Sequence, residues 1–218
     1  MADSTPNGSR DMLQMVFQFQ TSARAEVAHR VGLRDTALFL FLAASASLFG
    51  VALNESYRPV LYAIPLLGLG ASQVFTQHNI VIGAITRYLG IEVTAWLRAN
   101  YPNSPLPVQW NNSRSYLGMR GGAFTRPVLF SGLTLIVFPQ ALALVVVTIT
   151  QSPSLLTFVG VLTGLASAGL SLSAILSAHR TRSAYEKELR RFSEAEHHLA
   201  KTRPTFDSKL PRSRTAGS

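Results

Sequence analysis

The chain contains no cysteine, which excludes disulfides and thiolate metal sites and leaves the redox compartment undetermined. Charge is scarce as well: Asp, Glu, Lys and Arg make up 14% of the residues, against roughly 25% in an ordinary globular domain. What charge there is stays out of four apolar blocks, residues 36–53, 59–75, 127–150 and 155–178, none of which holds an acidic, basic or His residue. Ion-coupled transporters carry ionisable side chains inside the bilayer, so their absence from the blocks argues against that class. No HExxH pair, no His and carboxylate cluster, no phosphate-cradling glycine loop and no G-x-S-x-G elbow occurs either. No catalytic group, metal site or cofactor site can be argued from these residues, and the expectation is a protein that is not an enzyme.

What is present suits lipid. The first block, 18 residues long, would span about 27 Å as a helix, close to the roughly 30 Å of a bilayer's hydrocarbon core. The last two blocks hold 24 residues each and would span with tilt. A retained span is expected at the first block and not a signal peptide, because 35 mixed residues precede it. The connectors at 54–58 and 151–154 are long enough only to turn, so each pair of blocks is a hairpin. Of 20 Lys and Arg, 19 fall before the first block, between the hairpins or after the last block, leaving Arg58 alone on the other side. The positive-inside rule then puts both termini and the central segment in the cytoplasm of a plasma membrane, that of a bacterial inner membrane. The same asymmetry accounts for the net charge of +9 without nucleic acid; anionic lipid headgroups are its expected partner.

The expected fold is therefore all-α, a four-helix membrane bundle of two hairpins with amphipathic cytoplasmic helices. Its segments are a cytoplasmic N-terminal stretch 1–35 with an amphipathic helix, a first hairpin 36–75, a cytoplasmic helix and loop 76–126, a second hairpin 127–178, a cytoplasmic helix 179–202 and a disordered tail 203–218. The N-terminal helix reads equally as a docking surface and as a helix lying on the membrane interface. Beyond residue 75 a fifth span would place Arg87 and Glu92 in lipid at a cost of roughly 5 to 7 kcal/mol. The spacing predicts instead an amphipathic helix with Ile82, Ile85, Leu89, Val93 and Trp96 on one face and Arg87, Thr94 and Arg98 opposite. In the loop that follows, Trp110 reads as an interfacial anchor. Residues 179–202 place Tyr185, Leu189, Phe192, Ala195 and Leu199 on one face, for a coiled-coil partner or for the central helix.

Within the spans, Gly160, Gly164 and Ala168 form a small-residue face that lets helices approach closely; Ala43 with Ser47 and Ala46 with Gly50 offer a similar face on the first span. A homo-oligomer is one use of such faces, and packing within the bundle is the other. The polar residues nearest the bilayer interior are Gln140, beside Pro139, and the group Gln73, Gln77, His78 and Asn79. Gln140 and His78 are the candidates for a small polar pocket, with a proline kink satisfied by neighbouring helices as the competing explanation for Gln140.

Arg34 and Asp35 before the first hairpin, Ile82 and Gly83 with Tyr88 and Leu89 after it, and Trp110 before a second hairpin resemble an uncharacterised family of small bacterial four-span membrane proteins. A more distant similarity is to SLATT-like two-span effector modules, from which this chain departs in its second hairpin and its lack of a separate sensor domain. The small-residue faces, the long cytoplasmic helices and the missing catalytic groups point to an assembling or partner-binding membrane module, with a cytoplasmic protein as partner. A channel or transporter for a small solute is the alternative.

Overall fold

The computed structural model of the chain describes residues 5–101 and 127–202. Within them every regular element is helical: α1 Thr5–Val51, a 3-10 helix Glu55–Tyr62, α2 Ala63–Tyr88, a π turn Leu89–Val93, α3 Thr94–Asn100, α4 Pro127–Gly132, a second π turn Leu133–Val137, α5 Phe138–Thr150 and α6 Leu155–Thr202. Four stretches among the described residues, Asp11–Val51, Glu55–Asn100, Leu129–Thr150 and Leu155–Ala195, are long and apolar enough to cross a membrane. The loop around Trp110, the side chain of Leu199 and the tail from Arg203 lie outside the described residues.

Helices α1 and α6 run through the expected boundaries at 35 and 178 without interruption. At 47 and 48 residues each is about 70 Å long, more than twice the hydrocarbon thickness. The chain thus has an apolar half, built from the four blocks, and a charged half in which α1, the extension of α2 and α6 continue as a stalk. The turns at the far apolar end are capped by side chains. Asn54 accepts a hydrogen bond from the Ser56 amide at 3.1 Å, and Ser154 accepts one from the Thr157 amide at 3.1 Å to start α6. The second span differs from expectation in its first turns: Pro59 sits inside the 3-10 helix and α-helical geometry begins only at Ala63.

Helices α2 and α6 run parallel and share a seam through both halves. Position 62 of the 3-10 helix and positions 65, 68, 75, 79, 83 and 87 of α2 meet positions 160 to 188 of α6 directly or through α4 and α5. Gly160 makes room for the Tyr62 ring, which would lie 2.7 Å from a Cβ there; Gly164 makes room for Leu144 and Pro65; a Cβ on Gly83 would lie 3.2 Å from the Tyr185 ring. Helices α1, α4 and α5 run the opposite way, and Gly132 fits between Phe75 and Ile175. The core of the apolar half joins Phe41, Ile64, Phe75, Ile136, Val147 and Ile175.

The central stripe is corrected in one turn. Ile82, Leu89 and Val93 are buried as their spacing predicts, but Trp96 is 38% exposed while Leu97 is 8% exposed, and Thr94 is buried where it was expected to face outward. The π turn at residues 89–93 is the cause: it admits an extra residue and advances the inward face by one position. The Thr94 hydroxyl donates to the Leu89 carbonyl five residues back at 3.2 Å. The tail stripe is also resolved, since Leu189 is buried and its neighbour Glu188 pairs with Arg87. That face of α6 packs inside the stalk; Ala195 is exposed.

Candidate functional site

The polar residues of the bundle fall into two groups. The first lies where the apolar half gives way to the charged half, on the inward stripe of α2. Asn79, 2% exposed, presents its Oδ1 to two guanidiniums: Arg34 Nη1 of α1 donates at 3.2 Å and Arg182 Nη1 of α6 at 3.4 Å. Arg34 also donates to Asp35 Oδ1 through Nε and Nη2, at 2.9 and 2.7 Å, and lies 5.9 Å from the centre of the Phe75 ring. Arg182 pairs with Glu186 at 3.4 Å. One neutral oxygen thereby ties three helices together, and hydrogen bonds from charged donors are the stronger kind.

His78 adjoins this node without joining it. Burial, then repulsion from Arg30, Arg34 and His29 of α1, hold its imidazole below the usual histidine range, with Glu26 acting in the opposite sense. Its Nδ1 is buried and has no hydrogen-bond partner among the described residues. About two and a half turns further on, Arg87 bridges Glu188 of α6 and, at 3.0 Å, Glu92.

The second group is at depth. Gln140 is fully buried; its Nε2 donates to the Ile136 carbonyl at 3.1 Å and to Ser171 Oγ of α6 at 3.3 Å. Its side chain rests on Gly68 of α2, where any Cβ would collide with it. Upstream of Pro139 the helix relaxes into the π turn at 133–137, in which the Phe138 amide reaches back to the Leu133 carbonyl. The missing proline N–H is absorbed in this way.

Gln140 and His78 are therefore not parts of one pocket. Gly68, which carries Gln140, and His78 are ten residues apart on α2, about 15 Å along its axis. Gly160 and Gly164 are points of close approach that receive side chains of α5, of α2 and of the 3-10 helix before it, and not a neighbouring backbone; Ala168 is half-buried beside them. Ser47, Ala46 and Gly50 of the first span face away from the bundle.

The residues that sequence reasoning passed over are Gly68, Ser171 and Arg182; Arg34 was noted only as a mark of the resemblance. Gly68, Ser72, Phe75, Asn79 and Ile82 repeat at three- and four-residue steps, and that spacing is the signal that would have put Asn79 inward and Gly68 opposite a large neighbour. Outside the apolar blocks, Met15 and Phe19 of α1 with Tyr88, Glu92, Val93 and Trp96 line an open groove of about 420 Å³, and Met15 is 67% exposed. Among the described residues no group of His, Asp and Glu is arranged to hold a metal ion. No family model, curated protein or solved structure matches this chain.

Proposed function

We propose that the chain is a non-enzymatic, multi-pass plasma-membrane module, with both termini cytoplasmic, that binds a cytoplasmic protein through its stalk. The observation that supports this reading most is the groove of Met15, Phe19, Tyr88 and Trp96. On an unbroken α1, Met15 lies 21 residues before the first apolar block, about 31 Å along the helix. That is beyond the reach of lipid, so the exposed Met and aromatic side chains favour a protein surface over an interfacial helix. Methionine and aromatic side chains suit a groove that receives an apolar helix face.

The node at Asn79 and the Arg87 bridge to Glu188 give such binding a route to the spans, because α1, α2 and α6 are tied together at the boundary. Self-assembly through span faces and anionic headgroups around the basic residues are compatible with this reading. The channel or transporter alternative needs polar groups in line through the bundle, and the seat of Gln140 between Gly68 and Ser171 disfavours it.

Induction of the protein in cells, scored by growth and dye entry beside protein level in the membrane fraction, separates the two. Phe19→Asp with Trp96→Asp changes exposed residues only and should abolish the effect at unchanged level, whereas Gln140→Leu should retain it whenever the protein still accumulates. The opposite pattern, with flux into liposomes lost on Gln140→Leu, would favour the channel.

A further inference from the structure

Each span of the apolar half carries a buried polar residue: Ser45 of α1, Ser72 of α2, Gln140 of α5, and Ser167 and Ser171 of α6. Ser45, Gln140 and Ser171 lie at similar depth. Gln140 touches Gly68 and Ser171 directly. Arg34 reaches Asn79, and Ser45 lies 11 residues beyond Arg34 just as Gly68 lies 11 residues before Asn79 on the antiparallel α2; both steps are about 16 Å.

Most of these groups are satisfied by the chain. Ser72 donates to the Leu69 carbonyl at 2.7 Å, and the Gln140 Nε2 has its two acceptors. Two are not: Gln140 Oε1 and Ser45 Oγ are buried and have no partner among the described residues. The side chain of Gln140 cannot resolve this by turning over. The Ile136 carbonyl that faces its amide can only accept, so the atom beside it must be the N–H and the oxygen must point elsewhere. Buried orphan acceptors are rare in folded proteins and are met by ordered water where the chain supplies no donor. Within a bilayer no bulk solvent can substitute.

We infer that the centre of the bundle holds a bound water molecule that donates to Gln140 Oε1 and bonds Ser45 Oγ, linking α1 to α5. This makes the middle layer a closed polar contact between the two hairpins, independent of what the stalk binds.

The test is water-to-amide magnetisation transfer by NMR in perdeuterated detergent, with glutamine side chains labelled with 15N. The Gln140 amide resonance is identified by its disappearance in Gln140→Leu or, should that variant not fold, by its proximity to the Gly68 Hα. A direct cross-peak between this amide and water, kept in Ser171→Ala and weakened or lost in Ser45→Ala, is the expected result. Absence of the cross-peak overturns the inference. So does its loss in Ser171→Ala, which would trace the signal to exchange through that hydroxyl, and so does indifference to Ser45→Ala, which would remove Ser45 from the site.

Discussion

The side-chain amide of Gln140 occupies the place that a side chain on Gly68 would take. A glutamine at the centre of a span is costly unless its donors are met, and here the missing Cβ of a residue on another helix lets the amide lie between Ile136 and Ser171. Gly68→Ala should therefore push Gln140 off both acceptors and lower stability by about 1–3 kcal/mol. Gly169→Ala is the control, since nothing lies within 4 Å of that position. Thermal unfolding in detergent should separate the two variants clearly; equal midpoints would remove the claim that Gly68 seats Gln140.

Asn79 should behave as a structural node. Asn79→Leu leaves the Nη1 donors of Arg34 and Arg182 without their shared acceptor, a loss of about 1–3 kcal/mol. Asn79→Asp keeps an acceptor and adds a charge that both guanidiniums favour, so it should retain stability at neutral pH. Unfolding by denaturant, followed by circular dichroism, measures both.

His78 predicts a pH dependence of definite sign. Its folded-state pKa is held below 6.5 by burial and by Arg30, Arg34 and His29, against Glu26, so the folded state prefers the neutral imidazole. The stability this contributes is fully present above 6.5 and is lost as pH falls below it. His78→Gln should flatten that acid limb of the stability curve while leaving the value at pH 8 nearly unchanged. A limb unaltered by the substitution would assign the effect to another group.

Leu189 and Trp96 test the two stripes of the stalk. Leu189 is buried and Trp96 is 38% exposed, so Leu189→Asp should disrupt the stalk by about 3 kcal/mol or more, whereas Trp96→Asp should leave folding close to wild type. Limited proteolysis of the stalk in membranes distinguishes them.

The four blocks, the two tight turns and the helical character beyond residue 75 were legible because lipid-compatible length and charge-free composition are properties of contiguous sequence. The phase of the stripe past Val93 was not legible: a π turn leaves no compositional mark, yet it moves burial from Trp96 to Leu97. Gly160 and Gly164 announced themselves as small residues, but their partners Tyr62, Leu144 and Pro65 come from distant segments, and a small-residue motif alone does not say whether a backbone or a ring will fill the gap. The pairing of Gln140 with Gly68 failed to show for the same reason. Asn79 was visible as one of a polar group, and only the three-helix geometry separates it from His78 one position earlier.

The central claim is that the charged stalk lies in the cytoplasm and the 54–58 and 151–154 turns lie outside. Because the chain has no cysteine, Ser152→Cys and Ala184→Cys each introduce a single exposed thiol, one in the α5–α6 turn and one on the stalk. With a membrane-impermeant maleimide, Ser152→Cys should label in intact cells and Ala184→Cys only after permeabilisation. Labelling of Ala184→Cys in intact cells, with Ser152→Cys protected, would contradict the account.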